Sequence, residues 1–228
     1  MSIFRNFLGT SKAVWIGLVA AAGVLQAAHG GAIFSASSAV INSGGPGFGS
    51  ISNTYDQAGL NTGYTSNVTD FNTYLAGNPT HTITYLGYEW FGNQGTNSAS
   101  VTYNFGAVRS FDALALWNEE VSGIGLLNLL TSNDGINFAA LATGLVPTNN
   151  PENVDYKADV FAFGATTAQY VRFDMSRCPQ APGNFTSCAI GEVAFREALG
   201  GTVPEPGSLA LIGLGLAGLG AVRRRKSA

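Results

Sequence analysis

The sequence predicts a single all-β domain held between two terminal signals, and three observations predict it. Over residues 31–200 the chain runs in short apolar stretches broken by Gly, Asn, Ser and Thr, and no long segment keeps the 3.6-residue period of an amphipathic helix. The first 25 residues pair a charged start with an unbroken apolar run, and the last 26 place a second apolar run before four consecutive cations. About 170 residues remain between the ends, enough for one domain with a core and too few for two.

The N-terminal signal comes first. Arg5 and Lys12 charge it without an acid, residues 13–25 are apolar throughout, and Ala27, Ala28, Gly30, Gly31 and Ala32 are small. This is the layout of a cleavable secretory signal peptide over residues 1–30, with signal peptidase as its partner and a cut between Ala27 and Ala32. Thirteen apolar residues span only about 20 Å as a helix, against roughly 30 Å of bilayer hydrocarbon.

Within the domain, strands are expected over 101–105, 111–117, 126–131, 160–163, 170–175 and 189–196, where apolar and polar residues alternate or β-branched and aromatic residues cluster. Ser132-Asn133-Asp134-Gly135 follows one of these runs and supplies the positive φ of a tight reversal, so a hairpin is expected there. Residues 35–95 are polar and rich in Gly, Asn and Thr, and long loops are expected in them.

The C-terminal signal, residues 203–228, reads Val203, Pro204, Glu205, Pro206, then an uncharged span over 207–222, then Arg223, Arg224, Arg225 and Lys226. As a helix the span is about 24 Å long. Four cations behind it act as a stop-transfer, since Lys and Arg beside a span stay on the cytoplasmic side. Motif, span and basic tail together closely resemble the PEP-CTERM sorting domain of Gram-negative bacteria. The resemblance implies recognition by an exosortase, a precursor held in the inner membrane by its helix, and a mature form at the cell surface or in the extracellular matrix. It further implies an organism that makes exopolysaccharide.

Five pieces of the domain carry a second resemblance: Val101-Thr-Tyr-Asn-Phe-Gly106, Phe111-Asp-Ala-Leu-Ala-Leu-Trp-Asn118, Thr131-Ser-Asn-Asp-Gly-Ile-Asn-Phe138, Tyr170-Val-Arg-Phe173 and Ile190-Gly-Glu-Val-Ala-Phe195. In order and spacing they are similar to the discoidin or coagulation-factor type C domain. That resemblance implies a galactose-binding-like jelly-roll β-sandwich. The chain departs from the family in lacking its long-range cysteine pair.

Charge and cysteines narrow the function. Five cations against thirteen acids leave the domain at net −8, which disfavours nucleic acid and anionic headgroups and leaves cations and neutral sugars as partners. Cys178 and Cys188 are the two cysteines, and in an exported protein their short spacing reads as a disulfide closing a surface loop. No catalytic constellation is legible, so a non-enzyme is expected. Glu119 and Glu120 are adjacent, and neighbours on a strand face opposite sides; His81 is the sole histidine of the mature domain and lacks a nucleophile elbow.

The candidate ligand residues are aromatic and polar. Tyr64, Trp90, Phe91 and Trp117 would form a platform for a sugar ring, with Asn118 and Glu119 taking its hydroxyls. The competing reading puts Trp117 in the core and lets Trp90 and Phe91 pin a loop. Asp56 and Glu192 are candidates for a structural Ca²⁺ site tying an early loop to the final strand, against two ordinary surface carboxylates. Two function classes follow: a carbohydrate- or matrix-binding module associated with exopolysaccharide or biofilm, and a purely structural surface protein.

Overall fold

The computed structural model describes residues 30–180 and 185–199. The expected signal peptide, the sorting motif and the expected transmembrane helix over 207–222 lie outside the described residues. Among the described residues, no helix is long and apolar enough to cross a membrane.

Two long strands carry the architecture. β5 (Ser98–Asn118) and β9 (Asp159–Ser176) pair antiparallel, from Ser98 opposite Ser176 to Leu116 opposite Asp159. One half of this ribbon joins β2 (Ser38–Ser43) on the β5 side and β6 (Leu126–Ser132) on the β9 side, with β7 (Ala139–Leu145) beyond β6. The other half of β5 joins β10 (Ala189–Glu197), which pairs in turn with β1 (Ile33–Phe34) and β4 (Trp90–Phe91). The halves face each other as the two layers of an all-β sandwich. Each pair of strands expected over 101–105 and 111–117, and over 160–163 and 170–175, is therefore one continuous strand that serves both layers.

The reversal between layers sits at 105–110. Pairing is interrupted between Asn104 and Arg109, and Gly106 takes φ +81°, a left-handed conformation that a side chain would strain. On either side, Phe105 meets Phe195 with ring centroids 4.8 Å apart, and both touch Phe34 and Phe111. This four-ring cluster closes one end of the core. Val101, Tyr103, Leu114, Leu116, Leu127, Leu129, Val171, Phe173 and Val193 continue it between the layers.

A bulge decides which face each side chain takes. Pairing shifts between Phe111 and Ala113, so the inward set is Val101, Tyr103, Phe105 and Phe111 before it and Leu114 and Leu116 after it. Ala113, Ala115 and Trp117 turn to the other side. There they meet Ile33, Tyr64, Phe71, Tyr74 and Tyr156 in a second apolar cluster, so this half of β5 is buried on both faces.

Residues 35–95 contribute this cover rather than open loops alone. They hold α1 (Phe71–Ala76), capped by the Asp70 carboxylate accepting from the Thr73 N–H at 2.7 Å, and β3 (Thr80–His81), which pairs with β8 (Tyr156–Lys157) in a separate two-stranded sheet. The expected hairpin forms between β6 and β7. Gly135 supplies the positive φ, and the Asp134 carboxylate, held well below its usual range by hydrogen bonds from the Ile136 and Asn137 N–H groups, locks the turn. Cys178 and Cys188 form a disulfide between the end of β9 and the start of β10, both sulfurs buried in the core.

Candidate functional site

The structure separates the residues expected to bind sugar. Trp90 and Trp117 are fully buried, and each donates its indole N–H to a loop carbonyl, that of Pro46 at 2.9 Å and that of Pro79 at 3.1 Å. Neither offers a ring face to a ligand. Tyr64 is buried edge-on against Tyr74, with its hydroxyl 2.6 Å from Ser35 Oγ. Asn118 is spent on the fold: Oδ1 accepts from the Ile124 N–H at 2.8 Å, while Nδ2 donates to the Thr148 carbonyl at 2.8 Å and to Gln180 Oε1 at 3.0 Å. The reason is register, since the bulge in β5 between Phe111 and Ala113 aims Trp117 into the second cluster.

Glu119 belongs to a different constellation, one that strand alternation had ruled out. β5 stops at Asn118, and the turn that follows folds both Glu119 and Glu120 toward Thr84, which opens a short 3-10 turn (Thr84–Leu86) after β3. Thr84 Oγ1 lies 2.5 Å from Glu119 Oε1 and 2.8 Å from Glu120 Oε1, and the Thr84 N–H donates to Glu120 Oε1 at 3.1 Å. Glu119 Oε2 accepts from the N–H groups of Val121, at 2.8 Å, and of Ser122. Nearby, Glu89 is buried with neither carboxylate oxygen meeting a hydrogen-bond partner, and Glu89 Oε1 stands 3.6 Å from His81 Nδ1. His81 Nδ1 is also 3.0 Å from the Tyr156 hydroxyl, across the β3–β8 pair.

Burial sets the charges here. It pushes the Glu89 carboxyl up to about 8, with the Glu119 charge adding to the effect, and the Glu119 carboxyl up to about 7. It pushes His81 below its ordinary value, so the imidazole is neutral at pH 7. The region is an acid cluster without a cation of its own.

Thr84 also lines a cleft of about 450 Å³. Phe91 lies against it on one side, Phe48 and Phe185 form its rim at 72% and 49% exposure, and Asn93, Gln94 and Ser187 supply polar groups. Glycine makes the cleft possible. Phe48 exchanges two 2.8 Å backbone hydrogen bonds with Phe91, and a Cβ at Gly47 would stand 1.8 Å from the Phe91 carbonyl oxygen, one at Gly49 2.0 Å from that of Glu89. Both glycines take positive φ.

Asp56 is exposed and lies near enough to Glu192 for its charge to act on that carboxyl. Glu192 is fully buried on β10; its Oε2 accepts from the Gln57 N–H at 2.9 Å and its Oε1 has no partner. Burial first and the Asp56 charge second hold its carboxyl well above the usual range. Among the described residues, no three or more His, Cys, Asp or Glu side chains group to hold a metal ion.

Residues 202–226 match the PEP-CTERM protein-sorting motif. No curated protein matches the chain. Among solved structures it is similar to a mutant of chitosan-binding module 1 from a chitosanase/glucanase of Paenibacillus sp. IK-5, at 17% identity over 74% of this chain and 98% of that one, TM-score 0.48. It is also similar to the CBM32 of AlyQ in complex with 4,5-unsaturated mannuronic acid, at 15% identity over 73% and 98%, TM-score 0.45. A third is CpGH89CBM32-5 from Clostridium perfringens in complex with GalNAc-beta-1,3-galactose, at 13% over 70% and 94%, TM-score 0.45. Likeness of this degree does not transfer a ligand.

The PEP-CTERM motif was legible from its own residues, whereas the cleft was not. Phe48 and Phe185 sit in Gly- and Pro-rich stretches that read as loops, 44 residues before Gly92 and 3 before Cys188 in the chain. The run Gly44-Gly-Pro-Gly-Phe-Gly49 was the available signal, because glycines on both sides of one aromatic mark a close backbone approach.

Proposed function

We propose that the mature protein is an exported surface module that binds a neutral glycan in the cleft formed by Phe48, Phe91 and Phe185. One observation carries this reading: two exposed aromatic rings form the rim of a cleft whose polar groups are amides and hydroxyls rather than charges. Aromatic faces pack against sugar C–H bonds, and Gln94 provides a paired donor and acceptor for hydroxyls, while the Asn93 amide holds the Gly45 carbonyl and the Gly47 N–H at the cleft edge. The aromatic platform is thus assigned to rings other than Trp90, Trp117 and Tyr64. In the same reading the PEP-CTERM motif is the exosortase substrate, the precursor is retained in the inner membrane through 207–222, and the mature domain works in an exopolysaccharide matrix or biofilm. The protein acts by binding and performs no chemistry.

A structural Ca²⁺ ion held by Asp56 and Glu192 fits beside this. The orphaned Glu192 Oε1 is a buried acceptor of the kind a hard cation satisfies, and the ion would fasten the 56–57 loop to β10.

The test is retention on immobilised neutral polysaccharides by the folded domain with Ca²⁺ present. Phe48→Ala and Phe185→Ala are expected to weaken retention about tenfold each with an unchanged circular-dichroism spectrum. Absence of binding to any such polymer, the host's own included, would leave the purely structural surface protein as the better account.

A further inference from the structure

Behind the cleft, three carboxyl groups are withdrawn from water together: Glu89 before β4, and Glu119 and Glu120 after β5, none more than 4% exposed. The groups facing them are His81 from β3, Tyr156 from β8 and Asp155 just before it. All are neutral or acidic. None of the Lys or Arg ion pairs among the described residues involves these three acids.

The Thr84 hydroxyl exposes the consequence. It has one hydrogen and stands within hydrogen-bond distance of a carboxylate oxygen on each of two different glutamates. Glu120 Oε1 also receives the Thr84 N–H, so it is an acceptor. Glu119 Oε2 is occupied by two backbone N–H groups, so a proton on Glu119 resides on Oε1. The hydrogens then run in one direction: Glu119 Oε1–H to Thr84 Oγ1, and Thr84 Oγ1–H to Glu120 Oε1. Without that proton, the single hydroxyl hydrogen leaves one of the two contacts, to Glu119 Oε1 at 2.5 Å or to Glu120 Oε1 at 2.8 Å, with lone pairs only.

We infer that Glu119, Thr84 and Glu120 form a proton-locked latch on the wall of the cleft, and that losing the proton as pH rises releases Thr84 and loosens the cleft. This regulation rests on the glycan-cleft reading for its purpose but not for its existence. The burial-raised carboxyls of Glu119, near 7, and Glu89, near 8, place the release at the alkaline edge of neutrality. Release propagates because Thr84 itself lines the cleft and Glu89 adjoins β4, whose Phe91 holds Phe48 through two backbone hydrogen bonds. For a single proton, the ratio of released to locked forms grows about tenfold per pH unit through the midpoint.

The experiment is a carboxyl-¹³C and amide-¹⁵N titration of the folded domain from mildly acidic to mildly alkaline pH. The Asn93 and Gln94 amides report on the cleft. A Glu119 carboxyl transition at about pH 7 is expected, separate from a Glu89 transition at about 8, and both amides are expected to shift with the Glu119 midpoint. Glu119→Gln presents an N–H to Thr84 and keeps an acceptor for Val121 and Ser122, so it is expected to erase the transition and hold the acidic-form shifts. Thr84→Val is expected to uncouple the amides from the carboxyl, and Thr84→Ser to restore the coupling. Ordinary acidic titration of Glu119 overturns the latch, as do cleft amides that stay flat through the transition. A transition abolished by added Ca²⁺ alone also overturns it, since a cation rather than a proton would then join the carboxylates. Failure of glycan binding with these shifts intact would remove the proposed function and leave the latch standing.

Discussion

The core between the layers and the acid cluster behind the cleft are equally closed to water, yet they contribute to stability in opposite ways. Phe34, Phe105, Phe111 and Phe195 bury apolar rings against one another, with the Arg109 guanidinium 4.1 Å over Phe34, and burial of each ring stabilises by about 2–3 kcal/mol at any pH. Around Thr84 the buried atoms include carboxyl oxygens, and burial of those of Glu89 and Glu119 favours their protonated forms. Fractional exposure alone therefore does not say whether a region holds the fold together. The chemistry of what is buried does.

The largest expected effect breaks the apolar side of that comparison. Phe105→Ala removes the ring that touches the other three, and a loss of about 3–5 kcal/mol is expected in urea unfolding. A loss below about 1 kcal/mol would mean that the four rings do not join the layers. Replacing Cys178 and Cys188 together with Ala is next. Their bond closes a loop of ten-residue separation, and its loss is expected to cost roughly 2.5–3 kcal/mol on the chain-entropy account, with free thiols absent from the unreduced wild type.

The acid side responds to pH. Glu89 and Glu119 bind protons more tightly folded than unfolded, so the stability they contribute is complete below about 4.5 and declines as pH rises toward about 8. His81 has the opposite sign: its folded value is depressed, so its contribution is present above about 6.5 and lost as pH falls. Thermal melts across pH are expected to peak between these limits, and a melting temperature still rising past pH 8 would contradict the sign for the glutamates. Glu89→Gln sharpens the point. It is expected to gain at least about 1 kcal/mol over the wild type at alkaline pH and to be near neutral at pH 5. The smallest effect is at the rim: Phe48→Ala is expected to stay within about 0.5 kcal/mol of the wild type in stability while glycan retention falls.

Local signals were enough for much of this molecule. The all-β class, the Asp134-Gly135 hairpin, the cysteine pair and the PEP-CTERM motif each rest on a few consecutive residues whose physics is complete without a partner. Residues 101–105 likewise read as a strand from their own alternation, and the pleat puts Val101, Tyr103 and Phe105 on its inward face. The reading failed where faces and neighbours depend on distant chain. The bulge after Phe111 shifts the inward set, and the second apolar cluster covers the far face of β5, which decides between the two readings of Trp117 in favour of the core. Glu119 and Glu120 meet at Thr84, 35 and 36 residues earlier, because the strand stops one residue before them and a 3-10 turn from the opposite side fills the space. A carboxylate's sequence neighbours cannot report which hydroxyl it will face or how little water will reach it, and both are properties of packing.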